Sequence, residues 1–325
     1  MQIDFNIVKV IVVAAIIVVA LGPIVIPFLK KLKVGQSIRE EGPQSHIETK
    51  SGTPTMGGLL MILGIILAVL SSLNFSKEVI ICLISIVGFG AVGFFDDYIK
   101  VVKKRNLGLR AYQKIIGQLI FAVILAVYGS MYSVNKTALV VPFTSIYIDL
   151  GFLYIPFTVF VVLGIVNGVN LTDGLDGLNS GITLIVMAAF ALIASGFAKY
   201  NMDYYGIVIV SSAVAGACLG FLFYNAHPAK IFMGDVGSLA LGGAVAAVAV
   251  STSLTFVVPI IGGVYLAEAL SVIIQVSHYK RTKRRIFKMA PLHHHFEMCG
   301  WKETKVVAVF WFAALILAFI GIYAV

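Results

Sequence analysis

The chain predicts an all-α polytopic integral membrane protein with ten transmembrane helices, both termini outside the cytosol and a small external β-hairpin. Composition is the first reason. Of 325 residues, 60% are hydrophobic and 12% charged, against about 25% charged in soluble domains, and the mean hydropathy is +1.00. Length is the second. A helix needs about 20 apolar residues to cross the hydrocarbon. Such runs fall at roughly 6–28, 56–73, 77–95, 115–133, 152–170, 181–198, 206–224, 237–254, 256–278 and 305–324. Charge placement is the third. Of 24 Lys and Arg, only Lys9, Lys77, Lys136 and Lys199 fall at one set of helix ends, and the other 20 lie in loops 29–55, 96–114, 225–236 and 279–305. Basic connections stay in the cytosol, so those loops are cytosolic. The net charge of +9 follows from this asymmetry and implies no nucleic acid.

The first run begins after Asp4 and lacks a basic leader or a small-residue cleavage site, so it reads as a span rather than a removed signal peptide. A basic loop follows and closes in Lys50-Ser51-Gly52-Thr53-Pro54-Thr55-Met56-Gly57-Gly58. A lysine, hydroxyls and free amides ahead of a helix make a candidate anion site. An ordinary helix start packed through small residues is the plainer reading. The third span reads as a helix over 79–95 that ends in Asp96-Asp97, with Tyr98-Ile99-Lys100 beyond. Two carboxylates at a helix C-terminus oppose the macrodipole and need a cation beside them. A solvated turn in which Lys100 pairs with Asp96 is the alternative. Lys100, Lys103, Lys104, Arg105, Arg110 and Lys114 follow. They suit either a membrane-surface anchor or a phosphorylated headgroup.

The external segment 134–151 is β-like and reads as a hairpin without chemistry. The fifth span ends in Asn167-Gly168-Val169-Asn170-Leu171-Thr172-Asp173-Gly174-Leu175-Asp176-Gly177. Asp before a helix is a common cap, yet this turn is more polar than capping needs and lacks EF-hand spacing. The seventh span ends in Asn225-Ala226-His227-Pro228, and Phe232-Met233-Gly234-Asp235 follows. Asp235 reads as a cap or a functional carboxylate, and Phe232 as a core plug or a platform for a base. Glu268 lies in the ninth span, where a charge is functional by default unless it is protonated and bonded to a neighbouring helix. Gln275 and His278 lead to Lys280-Arg281-Thr282-Lys283-Arg284-Arg285, a topology anchor. In Pro291-Leu292-His293-His294-His295-Phe296-Glu297, consecutive histidines cannot all face one ion, so zinc does not fit. Their near-neutral pKa suits phosphate contacts or proton carriage. Cys82, Cys218 and Cys299 imply neither a disulfide framework nor a metal site.

Every carboxylate-rich or histidine-rich motif falls on a cytosolic connection. That one-sidedness argues for a single site at the inner membrane surface within one domain, 1–325, built by loops 29–55, 96–114, 171–180, 225–236 and 279–304. Several Asp with Lys and His, and no Ser or Cys nucleophile constellation, suit Mg²⁺, which is held by one or two carboxylates plus phosphate oxygens. Phosphoryl transfer asks mainly for positioning and charge neutralisation. The membrane location makes one substrate a lipid.

In Lys50–Gly58, Phe94–Lys100, Asn170–Leu178, Phe232–Ser238 and Pro291–Glu297 the chain resembles the polyprenyl-phosphate N-acetylhexosamine-1-phosphate transferase superfamily. The motifs occur in that family's order over nearly the whole chain. The triple histidine favours the branch that transfers phospho-MurNAc-pentapeptide over the GlcNAc-1-phosphate transferases. The resemblance implies transfer from UDP-MurNAc-pentapeptide to undecaprenyl phosphate, giving lipid I and UMP in peptidoglycan synthesis. It also implies Mg²⁺, periplasmic termini, a homodimer and a bacterial cytoplasmic (inner) membrane location with the site facing the cytoplasm.

Carried over by position, the resemblance makes Asp235 the Mg²⁺ ligand and Asp96 or Asp97 the base on undecaprenyl phosphate, or else a nucleophile. Asn170, Asp173, Asp176, Asn225 and Phe232 would form the nucleotide pocket, with Lys50 and Thr55 nearby. His293, His294, His295 and Gln275 would face the pyrophosphate or sugar, and Lys100, Lys104 and Lys114 the phosphates. Two rivals remain at this stage: a UDP-GlcNAc donor, and a transporter or lipid flippase. Transporter sites usually lie at the midplane between repeats, and here only Glu268 lies deep.

Overall fold

The computed structural model describes residues 5–31, 52–101 and 108–325 in full, and 102 and 103 by their backbone. Lys50 and Lys104 lie outside the described residues. The helices in chain order are α1 Phe5–Lys31, α2 Gly58–Ser71, α3 Lys77–Lys103, α4 Ala111–Tyr132, α5 Tyr154–Leu171, α6 Leu178–Ala198, α7 Tyr205–Asn225, α8 Gly234–Ser251, α9 Val258–Ile261, α10 Gly263–Thr282, α11 Leu292–Met298 and α12 Glu303–Tyr323. Two short antiparallel strands, β1 Ala138–Val140 and β2 Tyr147–Asp149, pair Ala138 with Asp149 between α4 and α5. The Thr137 hydroxyl and the Gly151 N–H both bond the Asp149 carboxylate and hold its pKa below the ordinary value.

Among the described residues, eight segments are long and apolar enough to cross a membrane. This is an all-α polytopic membrane protein. Two expected spans differ from the reading above. The run at 56–73 forms only the 14-residue α2, about 21 Å at 1.5 Å per residue, short of the ~30 Å hydrocarbon. The run at 256–278 is broken into α9 and α10 at Gly262, because Pro259 starts one helix and the non-helical backbone of Gly262 starts another.

The third span also differs. α3 continues through the Asp pair to Lys103, so Asp96 and Asp97 lie inside the helix. Lys100 neutralises both from within it at i,i+4 and i,i+3. The dipole penalty expected at a C-terminus therefore does not arise.

Burial follows helix periodicity. In α1 the buried side is Val10, Ala14, Val18, Gly22 and Ile26, every fourth residue, while Val12, Ile16, Ile24 and Phe28 are exposed. That is one stripe against protein and the rest against lipid. α7 and α8 are buried nearly all round and form the centre. Small residues let them approach their neighbours. Gly216 and Gly220 of α7 sit on the α1 backbone at Ile11 and Ala15, and Gly93 of α3 sits on the α8 backbone at Asp235.

The end of α8 away from Asp235 meets the strand pair, through Val140 N–H to Ser253 O at 3.2 Å. The end of α12 joins it there, through Phe143 N–H to Ala324 O at 2.8 Å. Lys9 near the start of α1 bonds Ser71 at the end of α2. The first residues of α1 and the last of α12 therefore lie at the end opposite Asp235.

Candidate active site

Two helices, α3 and α8, bring three carboxylates together. Oxygens of Asp96, Asp97 and Asp235 all lie within 4.8 Å of one another. The contact at Gly93 makes this possible, because any Cβ there would overlap the Asp235 backbone and push α3 and α8 apart. Lys100 Nζ sits among the three, 2.6 Å from Asp96 Oδ2, 3.4 Å from Asp97 Oδ1 and 2.6 Å from Asp235 Oδ2. Lys114 of α4 adds a second ammonium 3.2 Å from Asp235 Oδ2.

Each remaining oxygen has a donor. Leu109 N–H bonds Asp96 Oδ1 at 2.8 Å, and Val236 N–H bonds Asp97 Oδ2 at 3.1 Å. Asn170 Nδ2 donates to Asp235 Oδ1 at 2.6 Å and to Ser238 Oγ at 2.7 Å, and Asn170 Oδ1 accepts from Lys114. Asp235 thus stands in the first turn of α8 without capping it, and the backbone there is satisfied by Asp97 instead.

Three carboxylates against two ammonium groups leave one net negative charge. The all-oxygen donor set suits a hard divalent cation, and the Lys100 ammonium already sits where such a charge would be accepted. The residues present fit a Mg²⁺ ion.

Of the expected neighbours, Asn170 and Thr55 adjoin this centre, while Asp176 belongs to a second cluster with His227 and Glu303. Thr55 and Asp97 both face Gly234, whose φ of +70° and missing Cβ leave room for them. Phe232 N–H bonds Pro54 O, and Gly57 and Gly58 bond back to Phe232 and Met233, each at 2.9 Å. The start of α2 is thereby zipped to the start of α8, with the Phe232 ring half-buried. Asp173 lies in the turn after α5, its N–H on Asn170 O. Asp176 is buried, its Oδ2 accepting from Ala229 N–H at 2.9 Å and facing His227 Nδ1 at 3.2 Å.

Five expected ligand residues are engaged inside the protein. Asn225 accepts from Gly177 N–H and Ser180 Oγ and donates to Ile231 O, tying two loops together. Gln275 donates to Phe287 O and accepts from Ile286 and Phe287 N–H, fixing the loop after α10. His293 is enclosed, with Nδ1 3.0 Å from Glu268 Oε1. His294 Nδ1 faces Glu297 Oε2 at 2.8 Å, and His295 Nδ1 accepts from Lys288 N–H at 3.1 Å.

Sequence reasoning passed over His227, Glu303 and Ser238. Glu303 Oε1 accepts the Asp176 N–H at 2.7 Å, and its other oxygen lies 3.7 Å from His227. An acid in the first turn of α12 reads as ordinary helix chemistry, so no local signal marked it. The same holds for Ser238, one serine in a helix of small residues.

The chain is similar to several named proteins. Residues 79–253, more than half of the chain, match the model of glycosyl transferase family 4. A phospho-N-acetylmuramoyl-pentapeptide-transferase of Clostridioides difficile (strain 630) is 52% identical over 96% of this chain and 96% of its own length. That of Bacillus subtilis (strain 168) is 53% identical over 95% and 94%. That of Alkaliphilus metalliredigens (strain QYMF) is 54% identical over 98% of both chains.

Proposed function

The chain belongs to glycosyl transferase family 4, among its phospho-N-acetylmuramoyl-pentapeptide-transferases, and we propose that it catalyses their transfer at the Asp96–Asp97–Asp235 centre. The enzyme moves phospho-MurNAc-pentapeptide from UDP-MurNAc-pentapeptide to undecaprenyl phosphate, giving lipid I and UMP. A phosphate oxygen of the lipid attacks the sugar-bearing phosphorus of the donor, the phosphoanhydride bond breaks, and UMP leaves. Neither the UDP-GlcNAc donor nor the transporter reading is favoured, since the similar proteins carry the pentapeptide transferase name.

The observation that carries this reading is three carboxylates and two lysines packed where three helices meet. Asp96 or Asp97 takes the proton of the attacking phosphate. Lys100 and Lys114 lie where charge develops on the diphosphate and neutralise it. Asp235, with Asp96 and Asp97 beside it, would hold Mg²⁺, which supplies further neutralisation of phosphate oxygens when bound. Asn170, Asp173, Asp176 and Phe232 form the nucleotide side of the site, with Asn225 behind them and Thr55 alongside, and the family resemblance adds Lys50. Lys104 adds to the phosphate contacts, while Gln275 and the His293–His295 segment bound the sugar side.

The described basic connections 225–236 and 279–305 lie at this end of the bundle, which supports a site facing the cytoplasm from a bacterial inner membrane. Ten crossings, periplasmic termini and a homodimer come from the family resemblance.

The test is UMP release by protein in detergent given both substrates, with and without Mg²⁺, and with UDP-GlcNAc as a parallel donor. Asp97→Ala and Asp235→Ala should each lower the rate on the order of 10²–10³-fold or more. Folded protein that releases no UMP from the pentapeptide donor overturns the reading.

A further inference from the structure

Glu268 is the deeply placed carboxylate that the transfer chemistry leaves unused. It is 0% exposed in α10, and His293, 1% exposed, lies against it. Glu268 Oε2 accepts the Leu292 N–H at 2.7 Å. Its Oε1 accepts the His293 N–H at 3.3 Å and faces His293 Nδ1 at 3.0 Å. Leu292 and His293 are the first residues of α11, whose own N-cap position, Pro291, supplies no side-chain cap.

The Leu292 and His293 backbone N–H groups engage one oxygen each, so both Glu268 oxygens accept, as in a carboxylate. A protonated acid would donate to Nδ1 and leave the ring proton on Nε2, where no acceptor faces it. Nδ1 of His293 therefore carries the proton and Nε2 keeps its lone pair, since the partner of one ring nitrogen decides the state of the other. Nε2 is buried without a hydrogen-bond partner and is aimed at Gly174, where a Cβ would overlap the ring. The imidazole occupies the space of the missing side chain, in the turn between Asp173 and Asp176.

We propose that Glu268 is a positioning residue for the transfer: by fixing the His293 tautomer and capping α11, it holds α11 against the Asp173–Asp176 turn. It touches no reacting atom and acts through His293 and the backbone. His294 follows on the same helix, so one carboxylate sets both the turn and the next imidazole in place. The inference rests on the reading of that turn as the nucleotide side of the site.

Glu268→Gln tests it. The amide keeps the size, but its NH2 must face a donor. With the amide oxygen on Leu292 N–H, the nitrogen points at Nδ1, and the imidazole responds by carrying its proton on Nε2. Nitrogen-15 NMR of histidine-labelled protein in detergent should show one imidazole switching from the Nδ1–H to the Nε2–H tautomer.

In the UMP-release assay, kcat/KM for the donor should fall about 10- to 100-fold, the range for partners that orient a functional side chain. The fall should include a raised donor KM, with KM for undecaprenyl phosphate within about twofold of wild type. Loss of folded protein alone would lower kcat and leave both KM values unmoved.

Gly174→Ala provides a second route if the Gln variant does not fold. It keeps both partners, but its Cβ drives the imidazole off the carboxylate, and the same rise in donor KM is expected. Wild-type donor kinetics in either variant, or a kinetic loss in Glu268→Gln with the tautomer unchanged, overturns the proposal. Wild-type protein that releases no UMP would instead overturn the transferase reading, while the tautomer switch can still be read without turnover.

Discussion

Asp97 on α3 closes the open N-terminus of α8: its Oδ2 accepts the Val236 N–H at 3.1 Å, where Met233 at the N-cap position offers no side-chain acceptor. A carboxylate of the candidate active site therefore also docks one membrane helix on another. Its two roles separate by substitution. Asp97→Ala should cost about 1 kcal/mol for the lost cap together with nearly all turnover. Asp97→Asn restores an acceptor but no charge, so melting temperature should recover while UMP release stays lost. Turnover in the Asn variant would show that the charge is dispensable.

Lys100 joins all three carboxylates. Lys100→Met leaves them with Lys114 alone, so the protein should melt lower in EDTA than wild type. Added Mg²⁺ should raise the melting temperature more in the variant than in wild type, because a ligand at about 100 times its Kd stabilises by about 2.7 kcal/mol. Equal Mg²⁺ responses in a thermal-shift series would remove Mg²⁺ from this cluster.

Gly93 is the position at which α3 meets the Asp235 backbone. Gly93→Ala should cost about 1–3 kcal/mol as an overpacked contact and lower kcat by separating Asp235 from Asp96 and Asp97. A variant with wild-type melting and wild-type kcat would mean that the helices slide apart without consequence.

Phe232 is half-buried between the α2 and α8 starts. If a uracil stacks on it, Phe232→Ala should raise donor KM by an amount equivalent to about 1–3 kcal/mol with kcat little changed. The readout is a donor saturation curve at fixed lipid. A kcat effect with unchanged KM would make Phe232 a core plug.

Much of the molecule could be read locally. The spans show in hydropathy, and the clustering of basic loops and acidic motifs on one set of connections pointed to one site at one end. What that reading lost was helix continuity. α3 was expected to stop at the Asp pair because two carboxylates look like a boundary, but Lys100 one turn later lets the helix run on. The 56–73 run gives a helix of only 14 residues and the 256–278 run breaks at Gly262, because a hydropathy window registers neither an early helix end nor a break.

Neighbouring residues alone carry the membrane class, the apolar helices and the one-sided polar motifs, since hydropathy, charge placement and motif composition are local properties. Which partner each polar group takes depends on the folded arrangement. Asp97 goes to Val236, Asp235 to Asn170 and two lysines, Asp176 to His227 with Glu303 on its backbone, and Glu268 to His293. Those pairings depend on which helix faces meet, and that is set by small-residue contacts such as Gly93 on Asp235, between residues far apart in the chain.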